Sequence, residues 1–123
     1  MGHPGHSCDD RTQTPNGVMT TLASPTLGAT RELVLWRVRM EAGAAGPEHA
    51  FDSEQVWTVV AGAANVTVDG DAVTLATGDT IVLPAGATRH IVADGPLEAL
   101  VAGRAGARVT AAGHDGVTPP WIA

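Results

Sequence analysis

The chain of 123 residues contains no lysine and no tyrosine, a single cysteine, one phenylalanine and three tryptophans. Each scarcity excludes something. Cys8 stands alone, so no internal disulfide can form. All seven basic residues are arginines, they form no basic stripe, and the net charge is −6, so nucleic acid is not an expected partner. No apolar run approaches the ~20 residues that a membrane-spanning helix needs, and no membrane partner is expected. The N-terminus lacks the basic start and apolar core of a signal peptide, which makes the cytoplasm the expected location. The absence of tyrosine removes one common partner acid for proton transfer. What remains is 44% hydrophobic and 16% charged, a composition and length suited to one globular domain with a real core.

Residues 1–17, "MGHPGHSCDDRTQTPNG", show no apolar period and are expected to form a flexible tail, with the domain proper over 18–123. His3, His6 and Cys8 read as part of that solvated tail. Three soft ligands within six residues also permit a metal-binding arm, although their spacing matches no zinc motif. From Leu33 the period becomes two. In "LVLWRVRM", Val34, Trp36, Val38 and Met40 share one face and Arg37 and Arg39 the other, which predicts a half-buried strand. "QVWTVVAGA" predicts the next. In "NVTVDGDAVTL", Asp69-Gly70 lies between two β-branched runs and predicts a two-residue hairpin with a type I′ turn. "TIVLP", "RHIVA", "LEALVAG" and "ARVTA" predict further strands, separated by turns at "TGD", "AGAT" and "ADGP". His114 and Asp115 fall in a Gly-rich loop, and the prolines of "TPPWIA" exclude a helix at the C-terminus. Seven or eight short strands with regular turn signals and no helix predict an all-β antiparallel sandwich or barrel.

The most informative stretch is residues 46–62, "GPEHAFDSEQVWTVVAG". His49, Phe51, Gln55 and Gly62 stand at the spacings of the first motif of the cupin superfamily, where the residues are His, His, Glu and Gly. Gly78, Pro84 and Gly86 in "GDTIVLPAG" match the start of the second motif. Strict spacing then puts Arg89 at that motif's histidine. One inserted residue puts His90 there and Asp94 at its asparagine. The chain therefore resembles the cupins over about residues 31–103, and the resemblance implies a single-domain jelly-roll β-barrel. It also implies a site in the barrel mouth. In metal cupins two histidines, a carboxylate and a last histidine converge on one ion. Residues two apart on a strand point to the same side, about 6.6 Å apart along it, so long side chains can meet at one atom. Here Phe51 offers no lone pair and Gln55 replaces an anionic oxygen with a neutral one. Glu54 is one residue off, and strand parity points it to the opposite face. At best His49, Gln55 and His90 remain as metal ligands, a neutral set able to hold zinc, copper, nickel or iron weakly.

Bland readings stand beside these. His49 on a strand can be a hydrogen-bonded structural residue, and Gln55 a polar group satisfied by backbone. Phe51, Trp36 and Met40 can be core, or walls of a pocket. Trp57 shares the face of Gln55 and either fills the barrel or floors a cavity against which a flat ligand stacks. Arg89 reads as a rim residue able to meet an acidic ligand. Trp121 is expected to pin the C-terminus to the barrel. The expected function is binding of a small organic molecule inside the barrel, with an incomplete metal site. Two alternatives stand beside it. One is a metal-independent isomerase, cyclase or epimerase using His49 or His90 as general base. The other is a metal-dependent lyase, isomerase or dioxygenase with a His49, Gln55 and His90 site. Edge strands of such a sheet need covering, so a homodimer is expected under each reading.

Overall fold

The computed structural model describes residues 11–111 and 114–123. His3, His6 and Cys8 lie outside the described residues. The strands are β1 Arg11–Thr14, β2 Gly17–Ala23, β3 Leu33–Met40, β4 His49–Phe51, β5 Gln55–Val68, β6 Asp71–Leu75, β7 Thr80–Leu83, β8 Arg89–Arg104, β9 Val109–Ala111 and β10 His114–Val117. One 3-10 turn, Pro120–Ile122, follows. All the pairings among the described residues are antiparallel, and the sheet curls into the expected all-β jelly-roll barrel. Among the described residues no helix is long and apolar enough to cross a membrane.

The alternation in residues 33–40 becomes β3 with the predicted sidedness. Val34, Trp36, Val38 and Met40 are buried while Leu33 and Leu35 are exposed. On the outer face Glu98 lies between Arg37 and Arg39, 3.4 Å and 3.2 Å from their Nε atoms. Such exposed pairs contribute little to stability. Leu97, Ala99 and Val101 of β8 are buried against β3. The hairpin at Asp69-Gly70 has positive φ at both residues (49° and 87°), as a type I′ turn requires. Asp69 Oδ1 also accepts the Thr88 N–H at 2.8 Å and ties the hairpin tip to the start of β8.

β5 and β8 form the spine. They pair over nearly their whole lengths, and each bends so that it serves both halves of the barrel. The sequence places a turn at "ADGP", but the chain does not reverse there. Ala61 pairs with Glu98 and Ala63 with Asp94, so two steps of β5 span four of β8 and the surplus forms a bulge. A bulge tolerates a proline in a central strand because it leaves the ladder there unpaired. Opposite it, Gly62 takes φ 83° and lies against the Pro96 carbonyl.

Two more differences from the sequence reading concern the ends. Residues 11–17, assigned to the tail, belong to the sheet in this structure: Arg11–Thr14 pair with β2. Pro15-Asn16 makes the connecting turn, and Thr14 Oγ1 accepts the N–H groups of Asn16 and Gly17. That turn signal lay in "TPNG", but the polar strand before it has no apolar face to reveal it. Residues 114–117, read as loop, pair with β9. At the C-terminus, the prolines exclude an α-helix but open the 3-10 turn, where a missing N–H costs nothing. Ile122 is fully buried there, and Thr21 Oγ1 donates to the Trp121 carbonyl at 2.9 Å. This residue pair holds the chain end onto β2.

Candidate functional site

Four aligned strands build the floor of the site. Val34, Gly103, Gln55 and Leu83 lie side by side across β3, β8, β5 and β7, and the next inward row is Trp36, Val101, Trp57 and Ile81. Gly103 makes room for its neighbour: a Cβ there would come within 3.2 Å of Gln55 Cγ. Gln55 is therefore laid flat over a glycine and is 2% exposed. Its Oε1 accepts from Trp57 Nε1 at 3.2 Å and from Arg89 Nη1 at 3.3 Å.

Arg89, not His90, enters the barrel. Strand alternation from Arg89 buries Arg89, Ile91 and Ala93 and leaves His90 on the other side, opposite Thr67. The assignment of His90 as metal ligand or general base is corrected on this ground: side chains one apart on a strand point to opposite faces. No inserted residue separates the motif's glycine from the strand, so the strict spacing holds. Arg89 is 1% exposed. Its Nη2 donates to the Pro84 and Ala87 carbonyls, each at 3.1 Å, and its Nε to the Ala87 carbonyl at 3.3 Å. Its guanidinium carbon sits 5.4 Å from the centroid of the Phe51 ring, a cation–π arrangement. Burial lowers its pKa, and Asp69 opposes that shift. A guanidinium still remains protonated in such a setting.

His49 pairs across the sheet with Arg89, and its ring meets Phe51 edge-on at 5.3 Å. Its Nδ1 lies 2.7 Å from the Pro47 carbonyl. A carbonyl only accepts, so Nδ1 carries the hydrogen and Nε2 is the free acceptor in the neutral ring. The imidazole pKa is lowered, first by burial and further by the charges of Arg89 and His90, while the Pro47 contact works the other way. The unfolded chain therefore takes up this proton near pH 6.5, whereas the folded chain does so only at lower pH. The contribution of His49 to stability is expected to be intact above that value and to fall as the pH drops from it towards the folded pKa. Imidazole titration by NMR checks this, and a His49 pKa at or above that of a free histidine contradicts it.

His49, Phe51, Gln55, Trp57, Trp36 and Met40, all anticipated from sequence, line one cavity of about 410 Å³. Arg89 lies beneath its floor instead of in its wall. Glu54 is exposed, as parity required. The sequence did not reveal the rest of the lining, which includes Met19, Ile91, Val109 and Trp121. The alternation of Met19 with Thr21 in "VMTTLA" was the one available signal. A larger groove, about 490 Å³, runs between residues 13–18 and 96–98. Its lining carries no aromatic or histidine side chain, so the smaller cavity is the candidate site.

A family model described as a cupin domain matches residues 36–103. The chain belongs to the cupin family. Solved cupin structures agree. KdgF from Halomonas sp. is 26% identical, with a TM-score of 0.68 over 77% of this chain and 84% of that one. An RmlC-like cupin from Shewanella frigidimarina is 21% identical, with a TM-score of 0.69 over 84% of this chain and 91% of its own. Salicylate 1,2-dioxygenase from Pseudoaminobacter salicylatoxidans is 21% identical, with a TM-score of 0.74 over 84% of this chain but 31% of that one. Among curated proteins none matches in sequence.

A cupin metal ion does not fit the residues of this cavity. Among the described residues no group of three or more His, Cys, Asp or Glu side chains comes together. Phe51 has no donor atom, Gln55 Oε1 is engaged by two N–H donors, and a fixed cation takes the position of the motif's last histidine. A divalent ion beside Arg89 would meet like charge in a medium of low dielectric.

Proposed function

We propose that this cupin binds a small, largely apolar organic molecule in the cavity, without a resident metal ion. The observation that carries this reading is the Arg89 guanidinium, held against Gln55 and Phe51 where a metal cupin has its last ligand. Aromatic walls from Trp36, Trp57 and Trp121 suit a flat ligand. A volume of about 410 Å³ is in the range of small-molecule sites. That salicylate 1,2-dioxygenase forms adducts with gentisate supports no more than a cupin of this fold taking a small organic ligand.

The test is a thermal-shift screen of small aromatic and alicyclic compounds, with and without chelator, on protein whose metal content is measured. A ligand at 100 times its Kd adds about 2.7 kcal/mol of stability. The expected shift survives chelator. A chelator-resistant stoichiometric ion, or a shift abolished by chelator, overturns the reading.

One observation favours a second reading, proton transfer by His49. With Nδ1–H committed to Pro47, the neutral ring presents Nε2 as a base in the cavity. A general base of this kind contributes about 10²–10⁴-fold. The chemistry would be that of a metal-independent isomerase, cyclase or epimerase. A His49→Ala variant that turns over any identified substrate at full rate removes it.

A further inference from the structure

We infer that Arg89 makes this cavity selective for anions, with the Gln55 amide presenting its N–H₂ group to a carboxylate or other oxyanion on a flat apolar body. This rests on the reading of the cavity as a ligand site. The argument starts from the orientation of one buried amide. Gln55 Oε1 faces two groups that can only donate, Arg89 Nη1 and Trp57 Nε1. The amide cannot be turned around without setting N–H against N–H at both. Its Nε2 hydrogens are therefore directed elsewhere, and no described residue accepts them, although the side chain is 2% exposed and lines the cavity. The Nε2 group is not sealed from solvent, so water or a ligand in the cavity can supply that acceptor.

The charge behind that amide gives the ligand its sign. Arg89 is a buried cation whose protein partners are all neutral: the Pro84 and Ala87 carbonyls and the Gln55 amide oxygen. Asp69 acts on it from the hairpin tip without a direct ion pair, so it offsets the charge only in part. The described lining of the cavity includes no acidic side chain. The positive charge is thus left to act through Gln55, whose amide dipole it aligns, in surroundings where electrostatic interactions are stronger than in water. A metal cupin meets its ligand with a metal cation; here an arginine provides a fixed one, and the Gln55 N–H groups provide direct contact. Trp36 and Trp57 lie beside this point, so the anionic oxygen is expected on a planar apolar molecule.

An isosteric pair of probes, 2-naphthoate and 2-naphthamide, tests the inference by calorimetry at low salt. Charge-assisted hydrogen bonds predict that the native chain prefers the carboxylate by about 10- to 100-fold. Two variants should abolish the preference. Gln55→Glu keeps the shape, gives Arg89 a carboxylate partner and removes the N–H donors. Arg89→Met removes the charge. If the methionine variant does not fold, the glutamate variant carries the test alone, since its new charge is paired. Naphthoate preference in the native chain that vanishes in Gln55→Glu supports the inference. Equal binding of the two probes, or a preference that survives Gln55→Glu, overturns it and leaves the cavity as a ligand site. Binding of neither probe overturns it together with the reading it rests on.

Discussion

Replacing Gly62 by alanine is expected to destabilise the barrel by at least ~3 kcal/mol, a value in the upper range for single substitutions. Two physical costs add. The backbone there has φ 83°, a left-handed conformation in which a side chain costs about 1–2 kcal/mol. The added Cβ would also stand 2.0 Å from the Pro96 carbonyl oxygen and 3.2 Å from Leu97 Cα. These are backbone atoms of the partner strand, so no rotamer change relieves the overlap. Relief requires β5 and β8 to separate at their bend, and every other strand of the floor is registered on those two. Gly70→Ala is the control. Its φ is 87°, but nothing lies within 4 Å of the point where its methyl group would stand, so only the conformational cost of about 1–2 kcal/mol applies. Denaturant unfolding of both variants separates the terms. A Gly62→Ala variant no less stable than Gly70→Ala would show that the close approach at the bend is absent in solution.

The triple variant Phe51→His, Gln55→Glu, Arg89→His is expected to bind zinc at least about 10³-fold more tightly than the native chain, a gain on the order of 4 kcal/mol. Each substitution removes one obstacle. Histidine at 51 supplies a donor beside His49, whose ring already meets Phe51 at 5.3 Å. Glutamate at 55 supplies negative charge at the amide that Arg89 now engages. Histidine at 89 replaces a cation with a ligand on the residue paired across from His49. Imidazole and carboxylate donors suit zinc. Calorimetric titration with zinc and elemental analysis after dialysis check the result. If the variant folds and holds zinc no better than the native chain, then side chains 49, 51, 55 and 89 do not converge, and the account of the native site fails with it.

The interior of this barrel was readable where a local period carried it. Alternation in residues 33–40 placed Trp36 and Met40 inside, and the two-residue step from Gln55 placed Trp57 beside it; both pairs line the cavity. Asp69-Gly70 announced its hairpin because few dipeptides accept two positive φ values in succession. The family was legible in the spacing of His49, Phe51, Gln55 and Gly62, and so was the loss of a donor at Phe51. The choice between Arg89 and His90 was not, because two adjacent residues offer both parities and no local pattern selects one. The strand between residues 93 and 97 was hidden by Gly95 and Pro96, which signal a turn unless a partner strand absorbs them as a bulge.

Short-range chemistry thus determined most of the strands and their inner faces, since each depends on residues only a few positions apart. Tertiary structure alone decided that a buried arginine orients the Gln55 amide, that Trp121 and Met19 join the cavity lining, and that Arg11–Thr14 join the sheet. Those outcomes depend on which distant strand lies alongside. Pairing of that kind is set by the sum of many weak contacts across the barrel, and no single stretch of the chain records it.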